Sequence, residues 1–402
     1  MRIGVNCYQL LPDIGGLKQY FLRLFRELLK NDEHNTYVFF YFSHNIQELS
    51  LLDDLNWQAN AIELKDQKEV YAHLDKIDLY FCPFGALWPR PLSVPTVVTL
   101  VDIQEVFYPD YFTPQDLFNR HFHYKGSTKM ADRVITISDF SKKTIIQHHR
   151  IPSRKVSVAY LCAADLFYHA VTLSDSPNFF PPNSEFIFYP ANFWQHKNHD
   201  RLLRAMKWLK TAKSLTVNAV FTGHEVANGY PLSAKVREYG IDDQVYNLGY
   251  VPVEQLAWLY SKAKLMVFPS LYEGFGMPLI EAMAAGCPVA ASNATALPEI
   301  GGDAVDYFDP FSIEDIGCAI EKLWEDPVHC RRLIEKGYQR SKNFTLIKLA
   351  DHHKRIFQGA ADSFSRLRYQ WNRWMYQYYH LCQVALKHRK LILTRFSPIL
   401  LK

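Results

Sequence analysis

KLMVFPSLYEGFGMPLIEAMAAGCPVAAS, residues 264–292, is a complete strand, loop, helix and second strand. Residues 264–270 form a short apolar run of the kind buried in a parallel sheet. Glu273-Gly274-Phe275-Gly276 follows as a loop in which two glycines allow close approach of backbone to a ligand. Pro278 suits a first helical turn, Gly286 its end, and Pro288 the start of the next strand. A strand crossing over through a helix to another strand is the unit of a parallel α/β sheet.

The same alternation extends in both directions. Upstream, strand patterns at 3–7, 37–42, 77–83, 96–102, 134–138 and 156–162, with a helical pattern over 16–30, predict a first doubly wound domain over residues 1–165. Periodicity then stops, and SDSPNFFPPNS (174–184) closes a linker over 166–184. Strand patterns at 186–190, 217–223, 245–250, 264–270, 288–292 and 304–308 predict a second domain over 185–345. The expected fold class is therefore α/β, with two Rossmann-like doubly wound domains facing across a cleft and ligands at the carboxyl ends of the strands.

Composition narrows the function class. Of 402 residues, 48% are apolar and 21% charged, which is globular and argues for two cores rather than one. Seven scattered cysteines with no CxxC pair predict a reducing compartment and no zinc site. The start at Met1 leads straight into a strand pattern, and no apolar run approaches about 18 residues, so the expected location is cytoplasmic, or peripheral on the inner face of the membrane. Net charge is only +4, yet after Asp362 there are eight Lys/Arg and no acid. That basic tail, 363–402, also carries Trp371, Trp374 and several tyrosines, a composition suited to an anionic membrane surface or to packing on protein; nucleic acid is not expected.

Backbone N–H groups at Gly276, Met277, Leu279 and Ile280 should open the helix after the loop, where the helix dipole favours an anion such as a diphosphate. Glu273 and Glu281, with seven residues between them, can accept hydrogen bonds from sugar hydroxyls. EGFGMPLIE resembles the E-x7-E signature of the family 4 glycosyltransferases, retaining enzymes of the GT-B fold. The resemblance continues through Leu297–Ala304 and Phe308-Asp309-Pro310, and upstream through YPANFWQHKNHDRLL (189–203).

The resemblance implies the following roles. Lys197 meets the donor phosphates, and where many relatives carry an arginine ahead of that lysine this chain has Asn192. Gly274, Phe275, Gly276, Met277 and Leu279 form the donor loop, Glu273 orients the transferred sugar, and Glu281 holds the nucleotide ribose. Asp102 occupies the aspartate of the family's HD segment, with Val101 in place of the histidine. Gly15 and Gly16, in PDIGGLK, form the loop facing the phosphates and acceptor. Helix 346–362 returns to the first domain. No cofactor or metal is expected beyond a nucleotide-sugar donor, GDP-hexose favoured and UDP or dTDP open, with a glycan or lipid-linked acceptor as partner. His196 and His199 read as polar packing at a helix start, and Ser138 as a helix cap. A sugar-nucleotide epimerase and a catalytically silent nucleotide-sugar-binding scaffold remain open as alternatives.

Overall fold

The structure is a computed structural model, and it describes residues 1–12, 15–170, 185–226, 229–367, 369–371 and 373–374. The strands are β1 (Arg2–Asn6), β2 (Thr36–Tyr41), β3 (Ala61–Glu63), β4 (Leu79–Cys82), β5 (Thr96–Thr99), β6 (Arg133–Thr136), β7 (Val156–Val158), β8 (Phe186–Pro190), β9 (Asn218–Thr222), β10 (Val245–Asn247), β11 (Leu265–Phe268), β12 (Val289–Ser292) and β13 (Asp306–Phe308). They form two sheets, ordered β3-β2-β1-β4-β5-β6-β7 and β10-β9-β8-β11-β12-β13. The registered pairs are parallel throughout, as the alternating pattern predicts. Every strand pattern read from the sequence has a counterpart: 186–190 is matched residue for residue, 3–7 and 37–42 are shifted by one residue, and the others are shorter at their ends. The addition is β3, three residues at a sheet edge, too short to show any period.

The chain divides into two compact units, one of Met1–Leu100, His121–Ile135 and the residues from Lys354 onward, the other of Val101–Arg120 and Thr136–His353. In the first, β1 is buried from its second residue on, and β2 from its second to its fifth, because crossover segments cover both faces of the sheet. Helix Gly16–Asn31 turns Tyr20, Phe21, Leu24, Phe25 and Leu28 to this core, the stripe a 3.6-residue period dictates. Phe25 meets Phe39 edge-on at 5.2 Å, and Phe81 meets Phe357 at 5.1 Å, so much of the 15% aromatic content is core. Arg133 donates to the Gly359 carbonyl, at 3.1 Å, within the same unit.

In the second unit β8, β11 and β12 are the buried centre of the sheet. Helix Met277–Ala284 joins β11 to β12 and buries Leu279, Ile280, Ala282, Met283 and Ala284. Its neighbour, helix Pro327–Ser341, is capped by the Asp326 carboxylate, which accepts from the Val328 and His329 N–H groups. Of the expected linker, 166–184, residues 171–184 lie outside the described residues, and of the basic tail, 363–402, so do 368, 372 and 375–402.

Candidate active site

The loop after β11 is shaped by one residue's backbone. Gly276 caps helix Met277–Ala284 with φ of 96°, and a Cβ there would stand 2.5 Å from Leu297 Cδ2. Only glycine meets both conditions. Of the N–H groups expected to be free at this terminus, that of Leu279 is not: it donates to the Gly276 carbonyl at 2.9 Å, because the first turn closes on its own cap residue. Phe275 is buried, its ring edge-on to Phe344 at 5.9 Å, so its side chain belongs to the core and only its backbone faces the loop's chemistry.

Glu273 is held from three sides. Its N–H donates to Thr295 Oγ1 at 3.0 Å, its carbonyl accepts from the Ala296 N–H at 3.4 Å, and its carboxylate pairs with Lys197 Nζ at 2.5 Å. The two side chains are only 17% and 12% exposed, so the pair is largely out of water. Lys197 ends the short turn Gln195–Lys197, and its carbonyl accepts from the Tyr189 hydroxyl at 2.8 Å. Asn198 follows with φ of 61°, and its amide donates to the Pro269 and Pro310 carbonyls at 2.9 and 2.8 Å. That amide ties the lysine's turn to the end of β11. Glu281, in the helix's second turn, accepts from the Tyr260 hydroxyl at 3.2 Å.

Asp102 lies against the same loop. A Cβ on Gly274 would come 2.6 Å from Asp102 Oδ2, so the carboxylate abuts bare backbone, and Asp102 Oδ1 accepts from the Gln104 N–H at 3.1 Å. Burial pushes the Asp102 carboxyl pKa up; the Gln104 N–H and the Arg120 charge oppose the rise, Glu273 adds to it, and Lys197 opposes it. A raised native pKa means stability is fully present below the unfolded carboxyl range and is lost as pH rises through the native value. Asp102→Asn is therefore expected to be more stable than the native chain at about pH 7, and to lose that advantage near pH 3, in denaturant melts at the two values.

The loop is also braced by residues the sequence alone left as helix caps. Ser138 Oγ accepts from the Ser141 N–H, the expected cap, and its hydroxyl in addition donates to the Gly274 carbonyl at 2.6 Å. Ser141 donates to the same carbonyl at 3.2 Å. The Glu299 carboxylate accepts from the Asp139 and Phe140 N–H groups at 2.7 and 2.8 Å, which fixes the helix turn presenting those serines. Thr295, Tyr260, Ser138 and Ser141 thus join the site's support. The legible signals were Thr295's place in the SNAT turn and the serine spacing in SDFS.

Asn192 Oδ1 accepts from the His224 N–H at 2.8 Å, so this residue shapes the loop after β8 and supplies no cation in place of an arginine. His199 is buried, its ring stacked on Tyr230 (5.9 Å, 15°) and edge-on to Phe193 (5.1 Å), and neither ring nitrogen has a hydrogen-bond partner. Its packing is aromatic rather than polar. Burial, aided by the Lys197 charge, lowers its pKa to about 3, and burial likewise lowers that of His196 to about 2. Because the unfolded chain binds a proton at His199 that the folded one refuses, stability is lost as pH falls below the ordinary histidine value toward 3. His199→Phe should flatten that acid loss, read as the difference in urea midpoint between about pH 7 and pH 4.5.

Gly15 and Gly16 belong to the other unit. Gly15, with φ of 55°, caps helix Gly16–Asn31, and nothing lies within 4 Å of a Cβ placed on either glycine. Asp102, Lys197, Glu273 and Gly274 are thus gathered around one loop, with Glu281 in the helix behind it.

Residues 172–340 match the family model described as glycosyl transferases group 1. The chain is 29% identical to O-antigen chain mannosyltransferase B of Escherichia coli over 62% of its length and 66% of the relative's. It is also 29% identical to O-antigen chain mannosyltransferase RfbU of Salmonella typhimurium, over 63% and 65%. The matched part therefore spans just under two thirds of these relatives. In structure, the Anabaena protein HepE in complex with UDP and glucose aligns at a TM-score of 0.67 and 16% identity, over 88% of this chain and 98% of that one. Residues 172–340 are thus similar to the glycosyl transferases group 1 family, and the two parallel α/β sheets are those of the GT-B fold.

Proposed function

We propose that the chain is a retaining glycosyltransferase. It moves a hexosyl group, mannosyl by analogy with its relatives, from a nucleoside diphosphate sugar to a glycan or lipid-linked acceptor in surface-polysaccharide (O-antigen) synthesis. The observation that carries this reading is the Lys197–Glu273 pair beside the Gly274–Gly276 turn. A cation able to meet phosphate and a carboxylate able to accept from hydroxyls, paired at the loop that leads into a helix N-terminus, support it.

In this reading the donor diphosphate sits on the N–H groups of that terminus and takes over Lys197. Glu273, released from the lysine, accepts hydrogen bonds from the sugar, and Glu281, held by Tyr260, accepts them from the ribose. As the bond between the anomeric carbon and the phosphate oxygen breaks, the growing negative charge meets donors already in place. The acceptor oxygen bonds to the anomeric carbon from the departing side, and its proton passes to the leaving phosphate. Asp102 acts beside the transferred sugar, and Gly15 and Gly16 leave room for phosphate or acceptor. GDP is the favoured base, with UDP and dTDP as competitors.

Exposed Leu367, Trp371 and Trp374 support a peripheral membrane role for the tail. No helix among the described residues is long and apolar enough to cross a membrane.

The test is a thermal-shift and calorimetry series with GDP, UDP, dTDP and ADP, with and without magnesium, followed by transfer from the matching labelled sugar nucleotide to membrane-extracted acceptor lipids. One diphosphate should stabilise the protein without metal, and its sugar should appear in an α-linked product. Binding without transfer would favour the silent-scaffold reading. Absence of any nucleotide response from folded protein would remove the donor site altogether.

A further inference from the structure

The peptide unit joining Gly274 to Phe275 is held at both ends. Its carbonyl oxygen accepts from two hydroxyls, those of Ser138 at 2.6 Å and Ser141 at 3.2 Å, and both serines are fully buried. Ser138 also caps helix Asp139–His149, its Oγ accepting from the Ser141 N–H at 3.0 Å, which brings the two hydroxyls together on one carbonyl. At the other end the Phe275 ring packs between Phe344, edge-on at 5.9 Å, and Tyr160 at 6.3 Å.

A peptide unit is planar and trans, so its N–H points opposite to its carbonyl. With the Gly274 oxygen bound to the serines, the Phe275 N–H faces away from them, and no acceptor among the described residues bonds it. In a residue only 2% exposed, such a group is a donor held ready for an acceptor. The orientation needs holding, because residue 274 has to be glycine: a Cβ there would stand 2.6 Å from Asp102 Oδ2. Without a Cβ its ψ turns easily, and a reversed peptide would present a carbonyl oxygen to an incoming anion. The two hydroxyl bonds oppose that rotation.

We propose that Ser138 and Ser141 are positioning residues that keep the Phe275 N–H directed at the sugar-bearing phosphate of the donor. The proposal rests on the donor-site reading above. Glu273 accepts from the sugar in that reading, and Phe275 follows it by two residues, which brings its N–H beside the phosphate joined to the sugar. That phosphate gains charge as the anomeric bond breaks, so a donor already aimed at it acts most strongly in the transition state.

The experiment titrates the full chain with GDP, GMP, UDP and UMP. Binding is read by calorimetry and by the Phe275 amide resonance in protein labelled with ¹⁵N-phenylalanine, assigned by its loss in Phe275→Leu. The native chain is compared with Ser141→Ala, Ser138→Ala and the double variant. Thr144→Ala is the control, since that hydroxyl donates to the Phe140 and Ser141 carbonyls of its own helix, at 3.1 and 3.0 Å. One diphosphate should bind the native chain about tenfold more tightly than its monophosphate and shift the Phe275 amide. The double variant should lose that preference and that shift while binding the monophosphate as before. Ser141→Ala, which keeps the helix cap, should lose about threefold of the preference, and it decides if the variants lacking Ser138 do not fold. A merely structural role would weaken both nucleotides alike and leave their ratio unmoved. An unmoved ratio, a native chain without the preference, or an equal loss in Thr144→Ala would overturn the proposal and leave the donor site standing. A folded native chain that binds none of the four nucleotides removes the donor reading, and this proposal with it.

Discussion

Lys197→Ala is expected to abolish the stabilisation by nucleoside diphosphate and to lower turnover by about 10²–10³-fold, the usual cost of removing one preorganised donor from a site of developing charge. The same change should also weaken the ligand-free fold. It strands the Glu273 carboxylate, 12% exposed and otherwise paired at 2.5 Å, and an uncompensated charge of this kind costs about 3 kcal/mol, the low end for buried pairs because some water reaches it. The double variant Lys197→Ala/Glu273→Ala should regain part of that stability and none of the activity. Urea melts of the four proteins in a double-mutant cycle, alongside initial rates, separate the two effects. Equal stability of native and Lys197→Ala would show that the pair is not formed in the free protein. Retained nucleotide binding in Lys197→Ala would remove the lysine from the donor site.

Gly276→Ala is expected to be the most damaging single methyl group added to the loop. It forces an alanine to φ of 96° and drives its Cβ to 2.5 Å from Leu297 Cδ2. Left-handed backbone costs a non-glycine residue about 1–2 kcal/mol and overpacking about 1–3 kcal/mol, so the sum is about 2–5 kcal/mol. Displacing the helix terminus by even part of an ångström should cost about 10²-fold in rate. Gly286→Ala is the control: its φ is 73°, but its Cβ would meet nothing nearer than Ile334 at 3.8 Å. It should lose about 1 kcal/mol and keep its rate. If both variants lose stability equally and neither loses activity, the Gly276 turn is a structural corner only.

The sheets were legible because parallel strands buried on both faces read as short apolar runs between helical periods, as FIFYP and LMVF do. β3 was not, because three residues at an edge are placed by their neighbours rather than by their own pattern. The positions of Gly276 and Pro278 could be read in advance, since a left-handed cap and a first-turn proline leave residue-type signatures. What could not be read was tertiary. The approach of Asp102 to Gly274 links positions 172 apart in the chain, and the second bond of Ser138, to the Gly274 carbonyl, is invisible to any local rule. His199 shows the opposite error: a polar residue type at a helix start suggested polar packing, while the fold surrounds it with Tyr189, Phe193, Phe221 and Tyr230. The free N–H of Leu279 failed for a similar reason, since whether a helix closes on its cap depends on the geometry of that one turn.

The lysine and glutamate that meet beside the Gly276 turn also act as a filter among anions. Because Glu273 neutralises Lys197, the pair does not present a bare cation to every phosphate it meets. Inorganic pyrophosphate could take the lysine only by leaving the carboxylate without any partner. On the proposed reading, a sugar nucleotide offers both halves of the exchange, phosphate to the lysine and hydroxyls to the carboxylate, so pyrophosphate should be a poor competitor in transfer assays although it carries more charge per atom. Glu273→Gln should lose that discrimination and become sensitive to pyrophosphate.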